Sequence, residues 1–429
     1  MDAVTKTDGR IDFLLSIGEE ITTKNELTNL LNAGKRPLCY DGFEPSGRMH
    51  IAQGLLKTLF VKKMTEAGCD VIFWVADWFA QMNNKINGDI TKIRIVGKYM
   101  IEIWKACGMP LDNVEFVWAS ESINNNADEY WALVMDICST FSITRLKRCT
   151  KIMGRGDTKN DIDALIQKAR GLTVADPNDE NENENLKRKI EVLTKQLKQT
   201  QDACKIYEEA IQMSQNESMP TAYLLYAAMQ CADIYFLRAD ICQLGMDQRK
   251  VNVLAREYHD HLFAKKSGKN TKQPIIKFRP KPIIISHHML MGLKEGQEKM
   301  SKSDPDSAIF MEDSVEDVNR KIKKAFCRPK EIKGNPIMDY FKHIIFPYMT
   351  ISVIPPITID KKEWGGMKTY DTYEKFEKDY IDGLLHPSDI KPLLTREINK
   401  LLEPVRMHFK ENEEAKSLLE QVKKFNITK

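Results

Sequence analysis

The chain has 429 residues, a net charge of +3 at pH 7, 42% hydrophobic residues and 29% charged residues, a globular composition with room for roughly two or three domains. So small a net charge excludes a general polycation, so a nucleic-acid partner would have to be met by local basic patches. Nine cysteines without a CxxC pair exclude a cysteine-based zinc motif and read as reduced thiols of a cytoplasmic protein.

Residues 1–35 have apolar positions at helical spacing, with Phe13, Leu14 and Leu15 followed by Leu27, Leu30 and Leu31, and predict helix until Pro37 breaks it. Residues 38–40 predict a short strand ending in the loop 41–47. A helix starting near His50 carries Ile51, Leu55, Leu56, Leu59 and Phe60 on its inner face. The run 71–76 is continuously apolar, as in a strand buried on both faces, and 114–118 predicts the next strand. Strands alternating with helices imply an α/β, Rossmann-like domain with a parallel sheet. Its ligands would bind at the carboxyl ends of the strands, where Tyr40 and Asp77 are expected.

Residues 151–220 interrupt this rhythm. The segment 177–185 is acidic and low in complexity. It is followed by a seam at Leu186, Ile190, Leu193, Leu197, Thr200, Cys204, Tyr207 and Ile211, in steps of four and three. The seam fits a helical insertion, either a hairpin packed on Ile162, Leu165, Ile166 and Ala169 or a partner-binding coil. After residue 303 the pattern is helical. Ser314 to Asp317 has the form of a capping box, Val318, Ile322 and Phe326 continue that helix, and Arg320, Lys321, Lys323 and Lys324 form its other face. Residues 304–429 therefore predict a separate helical domain, following a first domain of 1–303. No apolar run reaches the length of a membrane span, and the N-terminus has neither a secretory apolar core nor an Arg-rich transit pattern.

Four constellations carry chemistry. Gly47 to Gly54, with His50 and Gln53, combines a glycine loop with a helix start, which aims backbone N–H groups at an anion. Lys299, Met300, Ser301, Lys302 and Ser303 supply mobile charges and hydroxyl donors suited to a polyphosphate. Tyr226, Gln230 and Asp233 lie in steps of four and three on one helix face and are followed by Asp247 and Gln248. Trp364 beside Gly365-Gly366, with His386 and Asp389, reads either as a base-stacking platform with a carboxylate acceptor or as a core aromatic and a helix cap.

The KMSKS pentapeptide 299–303 and the HIAQ tetrapeptide 50–53, about 250 residues apart, resemble the class I aminoacyl-tRNA synthetases, with Gln53 in place of the second histidine of their HIGH motif. Tyr40, the Tyr226–Gln230–Asp233 face and 245–250 resemble, within that class, the tyrosyl-tRNA synthetases of the eukaryotic and archaeal branch. The resemblance covers nearly the whole chain, the insertion 151–220 being its main departure.

It implies ATP-dependent activation of L-tyrosine and transfer to tRNA(Tyr). His50, Lys299 and Lys302 would be catalytic. Tyr40 and Asp233 would meet the phenolic hydroxyl, and Tyr226, Gln230 and Gln248 the ammonium group. ATP would be held by Gly47, His50, Gln53, Asp247, Lys299, Met300, Ser301 and Lys302, accompanied by Mg2+, with no metal bound by the protein itself. Residues 304–429 would bind the anticodon through Trp364, His386 and Asp389, with tRNA backbone tracks on the 320–324 face and on 269–281. A homodimer, and no membrane partner, complete the expectation.

Overall fold

The computed structural model describes residues 2–150, 219–266, 280–300, 302, 304–352, 355–360 and 366–425. The insertion seam, Ser301, Trp364 and nearly all of the 269–281 basic track lie outside the described residues.

Eight strands are described: β1 (Gly18–Thr22), β2 (Leu38–Phe43), β3 (Asp70–Val75), β4 (Val114–Trp118), β5 (Ile241–Gly245), β6 (Ile283–His287), β7 (Ile357–Asp360) and β8 (Met367–Tyr370). The first six form one sheet in the order β1-β6-β5-β2-β3-β4. Parallel pairing runs from β6 to β4, and only β1 is antiparallel, against β6. The chain lays down β2, β3 and β4 in one direction, then returns to the other side of β2 for β5 and β6. The crevice at the carboxyl ends of β2 and β5 is thus the topological switch point, where such sheets bind ligands. The five residues of β5 and the five of β6 are all buried, as expected of strands covered on both faces.

Three sequence expectations change. The stretch 1–35 is not continuous helix: helices Asp2–Leu15 and Lys24–Asn32 flank β1. Gly18-Glu-Glu-Ile-Thr has no strand-like alternation, but it finds the open edge of β6, with Ile21 opposite Ile285. A Cβ at Gly18 would stand 2.8 Å from Ile21 and 3.0 Å from Ile285, so the close pairing requires glycine. Strand β2 runs on to Phe43, so Tyr40 lies mid-strand, opposite Ile72 and Cys242, and not at a strand end. The C-terminal region is helical except for the β7–β8 hairpin.

Apolar side chains pack on both faces of the sheet. One cluster joins Leu27, Val71 and Ile285 to Ile322, Phe376 and Leu394 of the helical region. The other gathers Tyr40, Trp74, Tyr226 and Ile234 around the crevice. Polar ties reinforce the first contact: the Tyr348 hydroxyl donates to Leu55 O at 3.1 Å, and His408 Nε2 lies 2.8 Å from Glu102 Oε2. The helix Ile51–Glu66, with Ile51, Leu55, Leu56 and Leu59 buried, starts beside the crevice and carries its N-terminus to the site.

Candidate active site

A cavity of about 620 Å³ opens at the switch point. The strand ends and the two helices that follow β2 and precede β5 fix its walls. The structure brings together Tyr40, His50, Gln53, Tyr226, Gln230, Asp233, Asp247, Gln248, Lys299, Met300 and Lys302, all of which line it. Gly47 does not line it. With φ at +119°, it bends the chain between Ser46 and Arg48.

One end of the cavity is built to receive a small polar-tipped aromatic molecule. Tyr226, Gln230 and Asp233 project from one face of helix Ala222–Phe236. Asp233 is 1% exposed, and its Oδ1 accepts from the Tyr130 hydroxyl at 2.8 Å. Its Oδ2 is buried and makes no well-formed hydrogen bond, although the Trp74 indole N–H approaches the carboxylate. Burial pushes this carboxyl well above the usual range, and hydrogen bonding from Tyr130 and then Trp74 opposes that shift. Nearer the mouth, Tyr226 donates to Glu44 Oε1 at 2.6 Å, and Asn83 Nδ2 donates to both Glu44 oxygens at 3.1 and 3.0 Å. Gln230 Nε2 donates to Gln248 Oε1 at 3.1 Å, which leaves Gln230 Oε1 buried and unpaired. Trp74 and Phe79 supply aromatic wall, with Phe79 edge-on to Tyr226 at 4.9 Å. Buried acceptors without donors are costly unless a ligand supplies them. This end therefore favours a molecule with one donor at its tip and a cation at its base.

The other end suits phosphates. His50 occupies the N-cap position of helix Ile51–Glu66 without a side-chain capping bond, and its Nδ1 is buried without a partner. Burial, then the nearby Lys302, pushes its pKa down to about 3, so at neutral pH it acts as a neutral hydrogen-bonding group. Gln53 Oε1, one turn on, is likewise unpaired. Gly54 is demanded by packing, because a Cβ there would stand 2.2 Å from Met311 Sδ. Lys302 Nζ donates to Ser46 Oγ at 3.0 Å. Burial first, and Lys85 second, push the Lys302 pKa down to about 7. Lys299 is half exposed, with Nζ 3.8 Å from Asp247 Oδ2. The buried Met300 anchors this loop, its N–H donating to Leu290 O at 3.2 Å.

The sequence reading misses Glu44, Asn83, Lys85, Ser46 and Tyr130. Glu44 and Ser46 lie in the loop already marked as the strand end, so a search for charged groups there finds them. Tyr130 belongs to an ordinary amphipathic helix, Ala127–Thr140, and carries no signal. Asp77 does not line the cavity. Its carboxylate accepts from the N–H of Ser120 at 2.9 Å and from its hydroxyl at 2.5 Å, which ties the ends of β3 and β4 together.

His386 and Asp389 stand away from the cavity, at the start of helix Pro387–Glu411. They form a capping box there: His386 N–H donates to Asp389 Oδ2 at 2.9 Å, and Ser388 N–H donates to His386 Nδ1 at 3.3 Å. Of the basic face 320–324, Lys321 is buried and donates to Asp313 Oδ2 at 2.6 Å, and Arg320 pairs with Asp306 and Asp317. Only Lys323 and Lys324 remain as exposed lysines of that face.

A family profile described as tRNA synthetases class I (W and Y) matches residues 32–166 and 179–403. The chain is 48% identical over 425 residues to tyrosine–tRNA ligase 1, cytoplasmic, of Arabidopsis thaliana, covering 99% of this chain and 90% of that one. It is similar to Leishmania major tyrosyl-tRNA synthetase in complex with tyrosinol, with 42% identity and a TM-score of 0.75, over 98% of this chain and about half, 52%, of that one. It is also similar to the Pyrococcus horikoshii tyrosyl-tRNA synthetase complexed with L-tyrosine, with 29% identity and a TM-score of 0.73, over 96% of this chain and 99% of that one.

Proposed function

The chain belongs to the tRNA synthetases of class I (W and Y), and on that premise we propose how its residues divide the work of a tyrosine–tRNA ligase. The reaction activates L-tyrosine with ATP and passes the tyrosyl group to the 3′ end of tRNA(Tyr). One cavity carries the reading, with the buried Asp233 carboxylate at one end and His50, Lys299 and Lys302 at the other.

Tyrosine enters with its phenolic hydroxyl towards Tyr40 and Asp233 Oδ2 and its ammonium group towards Tyr226, Gln230, Gln248 and Glu44. Its carboxylate then faces the phosphate end. A carboxylate oxygen attacks the ATP α-phosphorus, the bond to pyrophosphate breaks, and tyrosyl-adenylate forms. The tRNA ribose hydroxyl next attacks the adenylate carbonyl and AMP leaves. No enzyme nucleophile is needed, so catalysis lies in alignment and in stabilising charge on the departing pyrophosphate. His50 and Gln53 hydrogen-bond the nucleotide, Asp247 approaches the ribose, and Lys299 and Lys302 meet the β- and γ-phosphates with Met300 and Ser301 between them. Gly47 contributes through the turn it permits. Mg2+ would arrive on ATP, held by phosphate oxygens and water. Of the carboxylates near that end, Asp247 lies 3.8 Å from Lys299 and Glu44 is already engaged by Tyr226 and Asn83.

Residues 1–303 are assigned to catalysis, with 151–220 as an insertion, and 304–429 to the anticodon, read by Trp364, His386 and Asp389. The enzyme works as a cytoplasmic homodimer. The exposed Met135 and Ile143, each 62% accessible, give helices Ala127–Thr140 and Ile143–Lys147 an apolar face for a second copy. Among the described residues, no helix is long and apolar enough to cross a membrane.

Exchange of pyrophosphate into ATP, run with each amino acid separately, tests the reading. Tyrosine alone should support it. Exchange with tryptophan instead would overturn Tyr40 and Asp233 as specificity residues.

A further inference from the structure

Beside the cavity, which His288 lines, the chain gathers three side chains able to ligate a metal that tyrosine activation does not use. His288 directly follows β6, Asp339 lies in helix Pro336–Tyr340, and His343 lies in the π-helical turn Phe341–Ile345. One ligand atom from each falls within 4.8 Å of the others. His288 Nε2 is 2.8 Å and His343 Nε2 3.6 Å from the same oxygen, Asp339 Oδ1. We infer that His288, Asp339 and His343 form a binding site for a divalent transition-metal ion of the zinc class, joining the base of the lysine-bearing loop to the helical region.

The donor set selects the ion. Two imidazoles and one carboxylate suit zinc, cobalt or nickel, whereas magnesium and calcium demand more oxygen ligands than this cluster offers. Three protein ligands leave a coordination position for water or another donor. The surroundings are already arranged as an outer shell. Glu19 Oε2 lies 3.5 Å from His288 Nδ1, the nitrogen facing away from Asp339, and so can fix which ring nitrogen is free to ligate. Asp339 Oδ2 accepts from Met291 N–H at 3.0 Å, which orients Oδ1 between the two rings. Asp339 and His343 are four residues apart on a helical stretch, and π turns of this kind concentrate at functional sites.

One adjustment is required. The two rings stack at 4.0 Å and 15°, and an ion must lie near the plane of each ring it binds. Binding therefore opens the stack as Nε2 atoms and carboxylate close to roughly 2.0–2.2 Å from the ion. A bound ion would also secure Met291, whose carbonyl already accepts from Tyr340 at 2.8 Å and from which the chain continues to Lys299 and Lys302. Cysteine spacing gave no reason to expect a metal, and these ligands lie 51 residues apart, from His288 to Asp339, where no short motif reveals them.

The test uses the full chain, stripped with a chelator and titrated with Co2+ while visible d–d absorption is followed. One equivalent of Co2+ should bind with tetrahedral or five-coordinate bands and be displaced by Zn2+. His343→Gln, close in size and able to hydrogen-bond, should weaken binding about tenfold or more, and His288→Ala by at least as much, with folding checked by thermal melting. His408→Ala, at a histidine–carboxylate pair elsewhere, should leave it unchanged. Absence of stoichiometric Co2+ binding to the unaltered chain, or binding that survives His343→Gln intact, would overturn the site and leave the cluster a hydrogen-bonded latch.

Discussion

The Tyr130 hydroxyl donates to Asp233 Oδ1 across 2.8 Å, and the carboxylate it holds lines the cavity together with Tyr40. On the proposed assignment of Asp233 to the tyrosine hydroxyl, Tyr130 is a positioning residue that acts through Asp233. Tyr130→Phe removes only the hydroxyl. It should lower kcat/KM for tyrosine by roughly five- to thirty-fold, the equivalent of about 1–2 kcal/mol for one buried hydrogen bond to a charged or polar partner. Phenylalanine, which offers Asp233 nothing, should lose little, so discrimination between the two narrows. Unchanged kinetics with tyrosine would show that Asp233 holds its position without help.

Glu44 is the half-buried carboxylate beside Tyr226, and desolvation pushes its carboxyl above the usual range despite the opposing effects of Lys85, Tyr226 and Asn83. Only its ionised form attracts the ammonium group of the substrate. Tyrosine affinity should therefore fall on acidification, and begin to fall at a higher pH than an ordinary glutamate would dictate. Glu44→Gln keeps the shape and removes the charge. KM for tyrosine should rise about tenfold, KM for ATP should stay near its original value, and the acid limb should disappear from the tyrosine profile. An acid limb retained in Glu44→Gln would assign it to another group.

Much of this site was legible before any coordinates. The helix spacing of Tyr226, Gln230 and Asp233 put them on one face, and the apolar runs 71–76 and 114–118 marked two of the parallel strands. Strand β6 is a short apolar run that periodicity does not separate from buried helix, and β5, with Gln243 at its centre, is no continuous apolar run. Strand β1 was hidden for a different reason. Its residues have no strand pattern of their own, and only the exposed edge of β6 makes them a strand. Tyr130 was hidden because its role exists only when helix Ala127–Thr140 crosses helix Ala222–Phe236, a contact between residues 103 positions apart.

On the proposed assignment, Lys302 should set the pH dependence at the phosphate end. Its pKa of about 7 means that the ammonium form, which binds phosphate, is fully present below neutrality and is lost as pH rises. Pyrophosphate and ATP binding should weaken above pH 7, approaching tenfold per unit as each binding event must first restore the proton. Lys302→Arg keeps the charge at every pH and should flatten that decline, whereas Lys302→Ala should slow adenylate formation by about a hundredfold or more and leave tyrosine affinity nearly intact. Calorimetric pyrophosphate binding between pH 6 and 9 separates these cases. An identical slope in the parent chain and Lys302→Arg would mean the titrating group is not Lys302.

Asp389 holds the start of helix Pro387–Glu411 through its bond to the His386 N–H, and it is also the residue proposed to accept from an anticodon base. The two roles separate by chemistry. Asp389→Ala removes both, so it should cost about 1 kcal/mol of stability together with tRNA recognition. Asp389→Asn retains a carbonyl oxygen for the cap but replaces half the carboxylate with a donor, which opposes a donating base edge. Its melting temperature should stay close to that of the parent chain and its tyrosine-dependent pyrophosphate exchange should be unaltered. Its kcat/KM for tRNA charging should fall about tenfold or more, the scale of one lost base contact of about 1–3 kcal/mol. Normal charging by Asp389→Asn, alongside a purely thermal defect in Asp389→Ala, would reduce Asp389 to a helix cap and move anticodon reading to other residues of the region after 303.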